Sequence, residues 1–215
     1  MALTLWYHPL SSFCWKVLIP LYEADIAFTH REVQLFDPQD RAAYLKVWPL
    51  AKLPVLTDDE RGETVPESSL IIEYLARKYP SAASLLPADP DAARPVLIRD
   101  RVADNYIHAP FFAIVGERLR DGPKDPFGVE QSKAAIARGY DALAPLIEGP
   151  WAMGETFTLA DCAAFPALYY ADYAVKLDEW PTLRAYVDRL KTRPSVARVL
   201  KEAEPVFHMF PLKDG

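Results

Sequence analysis

A chain of 215 residues with 51% hydrophobic and 25% charged residues can bury a real core and exceeds the usual size of one domain. Its net charge of -6, with no basic stripe, argues against broad phosphate binding and so against nucleic acid as a partner. Two cysteines, Cys14 and Cys162, make no disulfide framework, no apolar run reaches the roughly 18 residues of a membrane span, and residues 1–7 carry no leader pattern. A cytoplasmic protein without a membrane association is expected.

Leu3, Leu5 and Tyr7 alternate with Thr4 and Trp6, a short strand stopped by His8-Pro9. Ser11 or Ser12 then caps a helix carrying Phe13, Val17, Leu18 and Leu21, with a bend expected between residues 16 and 20 because Pro20 removes an amide donor. Residues 28–33 read as the next strand. Asp37-Pro38 opens a brief helix that ends before Trp48-Pro49. Residues 54–57 and 63–65 are two strands joined by a turn at 58–62, and Leu70, Ile71, Tyr74 and Leu75 recur at helical spacing until Pro80.

Residues 81–95, with Pro87, Pro90 and Pro95 among small residues, suit an extended linker. Beyond it the apolar pattern is helical, over 92–119, 129–147, 159–175, 181–192 and 195–203. The expected architecture is an α/β domain over 1–80 in the order βαβαββα, a linker over 81–95, and an all-α domain over 96–215.

Three short segments can carry chemistry. In a thioredoxin-like fold the turn after the first strand places a residue at a helix amino end, where free amides and the helix dipole favour negative charge. Here the positions that hold the two cysteines of a redox turn are Ser11 and Cys14. A serine hydroxyl cannot cycle through a disulfide, but it can donate a hydrogen bond to another molecule's thiolate. Lowering a thiol by two units from ~8.5 requires ~2.7 kcal/mol. A hydrogen bond to a charged group supplies roughly 1.5–3 kcal/mol, and a helix terminus ~0.3–1. No metal is needed. The plainer reading is that Ser11 and Ser12 only cap the helix.

Leu53-Pro54 enters a strand through an X-Pro bond. In a cis form it turns the backbone of Leu53 outward, where a peptide can pair as an added strand, with Lys52 beside it as a cation for a terminal carboxylate. An ordinary turn with a solvated lysine is the alternative. At Glu67-Ser68, the Ser68 hydroxyl and the first helix amides suit a carboxylate, and the Glu67 side chain suits an ammonium group. A simple cap is again the alternative. Thr158-Leu159-Ala160-Asp161 has the form of a capping box, and Cys162 behind it reads as a buried inert thiol.

The order and spacing of these segments resemble the cytosolic glutathione S-transferase family over essentially the whole chain. The resemblance implies glutathione as co-substrate, Ser11 as the thiol-activating position with Ser12 as the neighbouring alternative, and Leu53-Pro54 as the contact to the cysteinyl backbone. It further implies Glu67-Ser68 at the γ-glutamyl end, Lys52 at the glycyl carboxylate, and Thr158–Asp161 as a folding motif. An apolar electrophilic small molecule is then expected between the domains, with Tyr106, Phe111, Phe112, His8, Leu10, Phe207, Met209 and Phe210 as candidate wall residues. A homodimer and a role in detoxification are also implied, with Asp104 reaching toward a partner's site. Ser11-Ser12 followed by Trp15-Lys16-Val17 looks like the Zeta branch, which includes maleylacetoacetate isomerases, although Phe13 stands where that branch usually has cysteine. Trp48-Pro49-Leu50-Ala51 replaces the common Asn-Pro-x-Gly. The alternatives implied are a Zeta-type isomerase or lyase, and a non-catalytic binding protein of the same fold.

Overall fold

Leu3 and Leu5 point into the core while Thr4 and Trp6 lie half-buried on the other face, which makes β1 (Leu3–Tyr7) in the computed structural model. The structure describes residues 3–213, so Met1, Ala2 and residues 214–215 of the expected domains lie outside the described residues. β2 (Thr29–Glu32), β3 (Val55–Asp58) and β4 (Glu63–Pro66) complete a sheet in the order β2-β1-β3-β4. β1 runs parallel to β2, with Thr4 opposite Thr29, and antiparallel to β3, with Trp6 opposite Val55. Leu56 faces Val65 across the antiparallel β3–β4 pair. With α1 (Ser12–Glu23), α2 (Pro38–Tyr44) and α3 (Ser68–Lys78), the first half has the order βαβαββα.

α1 stays helical through Pro20 to Glu23. Trp15, Val17, Leu18, Ile19 and Leu21 are all buried, because α1 packs against both α7 (Leu159–Ala171) and α9 (Pro194–Ala203). Burial of that many side chains outweighs one missing hydrogen bond. α2 begins as expected, with the Asp37 carboxylate accepting from the amides of Gln39 and Asp40.

The extended linker expected over 81–95 is not observed. A 3-10 helix spans Pro80–Leu85, and α4 (Pro90–Val102) begins at Pro90, with Asp89 accepting from the Ala92 amide at 3.0 Å. Proline at the first helical position lacks only an amide that has no helical partner anyway. A proline-rich stretch can therefore mark a helix start as readily as a linker.

A π-helical segment, Ala103–His108, joins α4 to α5 (Ala109–Leu119), and α6 (Pro126–Leu143) packs across it. A Cβ on Gly139 would stand 2.4 Å from the Tyr106 carbonyl oxygen, so only glycine lets α6 come this close. α8 (Pro181–Lys191) precedes α9, and a 3-10 segment, Glu204–Met209, follows it. α7 is buried on every face from Leu159 to Leu168 and lies at the centre of the helical half. Its capping box forms: Asp161 accepts from the Thr158 amide at 2.8 Å, the Ala152 amide at 2.7 Å and the Tyr186 hydroxyl at 2.7 Å. Among the described residues, no helix is long and apolar enough to cross a membrane.

Candidate functional site

Ser11 occupies the cap position of α1 with extended backbone (φ -78°, ψ 118°), yet its side chain caps nothing. The backbone does that work: the Cys14 and Trp15 amides both donate to the Ser11 carbonyl at 3.0 Å, and the Ser11 amide donates to the His8 carbonyl at 3.0 Å. The half-buried Ser11 hydroxyl is directed at the Cys14 sulfur instead. Burial pushes the Cys14 thiol up to about 12, and the Ser11 side chain and the His8 backbone oppose that shift by hydrogen bonding. Ser12, the first helical residue, is buried. His8 Nδ1 accepts from the Leu10 amide at 3.2 Å, and burial lowers the imidazole's pKa, which leaves a neutral ring beside the turn.

The segment before β3 is held by Tyr44, a buried side chain whose hydroxyl donates to the Lys52 carbonyl at 2.6 Å. The Leu53–Pro54 peptide bond is cis. Among the described residues, no hydrogen bond within the chain uses the Leu53 amide or carbonyl. Lys52 points to solvent without an ion-pair partner among the described residues. Ala51 has φ 50°, a left-handed conformation rare for alanine, at the position where the common motif carries glycine. The departure in sequence therefore keeps the backbone shape that glycine permits.

α3 starts at Ser68, and Glu67 before it has φ 66°, ψ 119° and an exposed side chain. A bulky residue at positive φ is uncommon and clusters at ligand clamps. No side chain caps α3 and no acidic residue stands in its first turn. Ser68 is buried at the helix end. The starts of α1 and α3, which no side chain caps, and the unpaired backbone of Leu53 are thus three features from separate parts of the first half.

The helical half supplies an aromatic face. Phe13 packs at a tilt against His108 with ring centroids 4.5 Å apart and stacks on Phe112 at 5.6 Å. Phe111, Tyr170, Phe207 and Phe210 continue the cluster, and the Tyr170 hydroxyl donates to the Leu10 carbonyl at 2.8 Å. Phe111 and Phe210 are buried and Met209 is largely exposed. Tyr106 belongs to a different place, a groove of about 520 Å³ with Val102, Pro110 and Arg138, between the π-helical segment and α6. Among the described residues, no group of histidine, cysteine and acidic side chains is placed to hold a metal ion. Cys162 is buried, and burial raises its thiol far above the ordinary range.

Two features escape a reading of the residues in order. Lys16 is fully buried, with Nζ at 2.6 Å from Asp100, 2.6 Å from Asp104 and 2.9 Å from Ser69. Asp104 is therefore turned toward Lys16 of its own chain. His108 is also fully buried, and neither ring nitrogen has a partner; burial and the nearby Lys16 charge lower its pKa to about 3. The signal for Lys16 was a lysine on an otherwise apolar helix face. A π-helical turn has no comparable sequence mark.

Family models for the glutathione S-transferase N-terminal domain and C-terminal domain match residues 5–87 and 126–189. A maleylacetoacetate isomerase of Pseudomonas aeruginosa is 32% identical over 95% of this chain and 98% of its own length. A probable maleylacetoacetate isomerase of Caenorhabditis elegans is 28% identical over 91% of both chains. Among solved structures, a glutathione S-transferase of Methylobacillus flagellatus with glutathione bound superposes with a TM-score of 0.81 at 28% identity, over 92% of this chain and 98% of that one. The chain belongs to the glutathione S-transferase family.

Proposed function

We propose that the protein is a glutathione transferase in which Ser11 holds the glutathione sulfur as a thiolate for attack on an electrophilic carbon. The observation that carries this reading is the pair of uncapped helix starts at Ser11 and Ser68 around an unpaired Leu53 backbone. Glutathione needs a sulfur donor, a strand partner for its cysteinyl backbone and a receptor for its zwitterionic γ-glutamyl end. Ser11, Leu53-Pro54 and Glu67-Ser68 offer these in turn, and Lys52 meets the glycyl carboxylate. Ser11 is favoured over Ser12 by exposure, since Ser12 is buried. The electrophile sits against Phe13, Phe112 and the tail, with the division at 81–95 separating the glutathione half from the electrophile half. A homodimer, a cytoplasmic location and a role in detoxification belong to the same proposal. Conjugation of glutathione to a chloro-nitroaromatic substrate, compared in wild type and Ser11→Ala, tests it: normal turnover in the variant removes Ser11 as the activator.

A second reading is favoured by the isomerase relatives. In it the thiolate adds to a double bond and is later expelled, so glutathione returns unchanged. Measuring whether glutathione disappears stoichiometrically with substrate separates the two. A protein that folds but fails to bind a glutathione column would instead be a non-catalytic member of the fold.

A further inference from the structure

We propose that Lys16 is a positioning residue for glutathione, bracing the start of α3 against α1 so that the sulfur end and the γ-glutamyl end of the site keep their spacing. The inference rests on the glutathione reading above and concerns residues outside the three segments that make direct contact in it.

Lys16 lies one helical turn beyond Ser12, on the helix whose start carries Ser11. Its ammonium has three protons and no access to water, and its three partners come from three elements: Ser69 of α3, Asp100 of α4 and Asp104 of the π-helical segment. Ser69 is the second residue of α3 and follows Ser68 directly. Its hydroxyl caps no amide. It lies 3.0 Å from Asp100 Oδ2, to which it donates, and accepts from Arg101 at 2.6 Å as well as from Lys16. A single serine therefore ties the γ-glutamyl helix start to a buried cation on the thiol helix and to the helical half.

This is a poor way to build stability. Burying an ammonium costs several kcal/mol, and apolar side chains of equal volume commonly stabilise as well or better. A directional network has a different property: it fixes distance and angle where apolar packing tolerates slip. Glutathione bridges the starts of α1 and α3 in the proposed mode, so a small shift between them misplaces one end of the ligand whenever the other is seated.

The test is glutathione affinity by calorimetric titration, alongside thermal stability and kcat at saturating glutathione. Ser69→Ala leaves Lys16 with both carboxylates and cuts the ties of α3 to Lys16, Asp100 and Arg101 together; the expected loss of affinity is roughly fivefold to tenfold with kcat nearly unchanged. Lys16→Met is expected to lose more, and Lys16→Arg, which keeps the charge, to stay within about threefold of wild type. A lower melting temperature with wild-type affinity in folded Ser69→Ala overturns the proposal and leaves the cluster a purely structural one. Lys16→Met is informative only where it folds, and Ser69→Ala decides the matter otherwise. Absence of glutathione binding by wild type is a separate result, which overturns the glutathione reading instead.

Discussion

The start of α7 and the starts of α1 and α3 use similar residues to opposite ends. At α7, Thr158 and Asp161 close a box, and Ala152 and Tyr186 fill the remaining acceptor positions on the carboxylate. At α1 and α3, Ser11 and Glu67 occupy cap positions while their side chains make no capping bond. α2, α4 and α6 follow α7, each with an aspartate accepting from its first-turn amides. α8 and α9 also lack a side-chain cap, but each opens on proline, which removes a donor. Side chains close the starts of α2, α4, α6 and α7, and those of Ser11 and Glu67 close nothing.

The sharpest way to break this contrast is at its closed end. Asp161→Ala strands two buried amides and the Tyr186 hydroxyl, each costing roughly 1–3 kcal/mol, so a loss of at least ~3 kcal/mol in urea unfolding is expected. Any folded fraction should bind glutathione as wild type does. At the open end the pattern reverses. Ser68→Ala should weaken glutathione binding by roughly 1.5–3 kcal/mol, and Glu67→Gln by a similar amount for glutathione but not for an analogue lacking the γ-amino group. A mere cap would instead cost ~0.5–2 kcal/mol of stability and leave affinity alone.

The aromatic face beside α1 gives a pH-dependent test. His108 is held neutral to about 3 in the fold, while an unfolded imidazole titrates near ~6.5. The unfolded chain thus takes up this proton first as the pH falls. The contribution of His108 to stability is complete above ~6.5 and is lost progressively from there down to about 3. By pH 5 the loss is ~2 kcal/mol, and His108→Phe should lack it. Unfolding free energies of both proteins at pH 8 and pH 5 check this; parallel declines would contradict it. The smallest effect is expected at Ala51, where glycine relieves positive φ at a cost in unfolded-chain entropy. Ala51→Gly should stabilise by no more than ~1 kcal/mol in thermal unfolding.

Much of this was legible in the residues. Strand alternation in Leu3–Tyr7, the aspartate-proline start of α2 and the Thr158 box announce themselves locally, because the forces that set them act within a few residues. That Ser11 and Ser68 stand at helix starts and that a strand follows Pro54 was legible by order and spacing. What the order of residues hides depends on distant contacts. Residues 81–95 contain the rest of a 3-10 helix and the start of α4, where Pro90 stands at the first helical position and its missing amide does no harm, while Pro95 is carried inside the helix. Tyr106 faces α6 while Phe112, six residues on, meets Phe13, a divergence that helical periodicity cannot assign without knowing which helices lie on each side. Lys16 stands out on an apolar helix face, but its partners Asp100 and Asp104 lie more than eighty residues away and no local pattern names them.

The open start of α1 is tested most directly by the ionisation of bound glutathione. Thiolate absorbance in the ultraviolet, followed against pH in saturated wild type and in Ser11→Ala, reports the thiol pKa in each. The expected wild-type value is about two units below the free thiol's ~8.5, returning most of the way in Ser11→Ala. A pKa that is equally low in both proteins, with glutathione bound in each, would contradict the role given to Ser11.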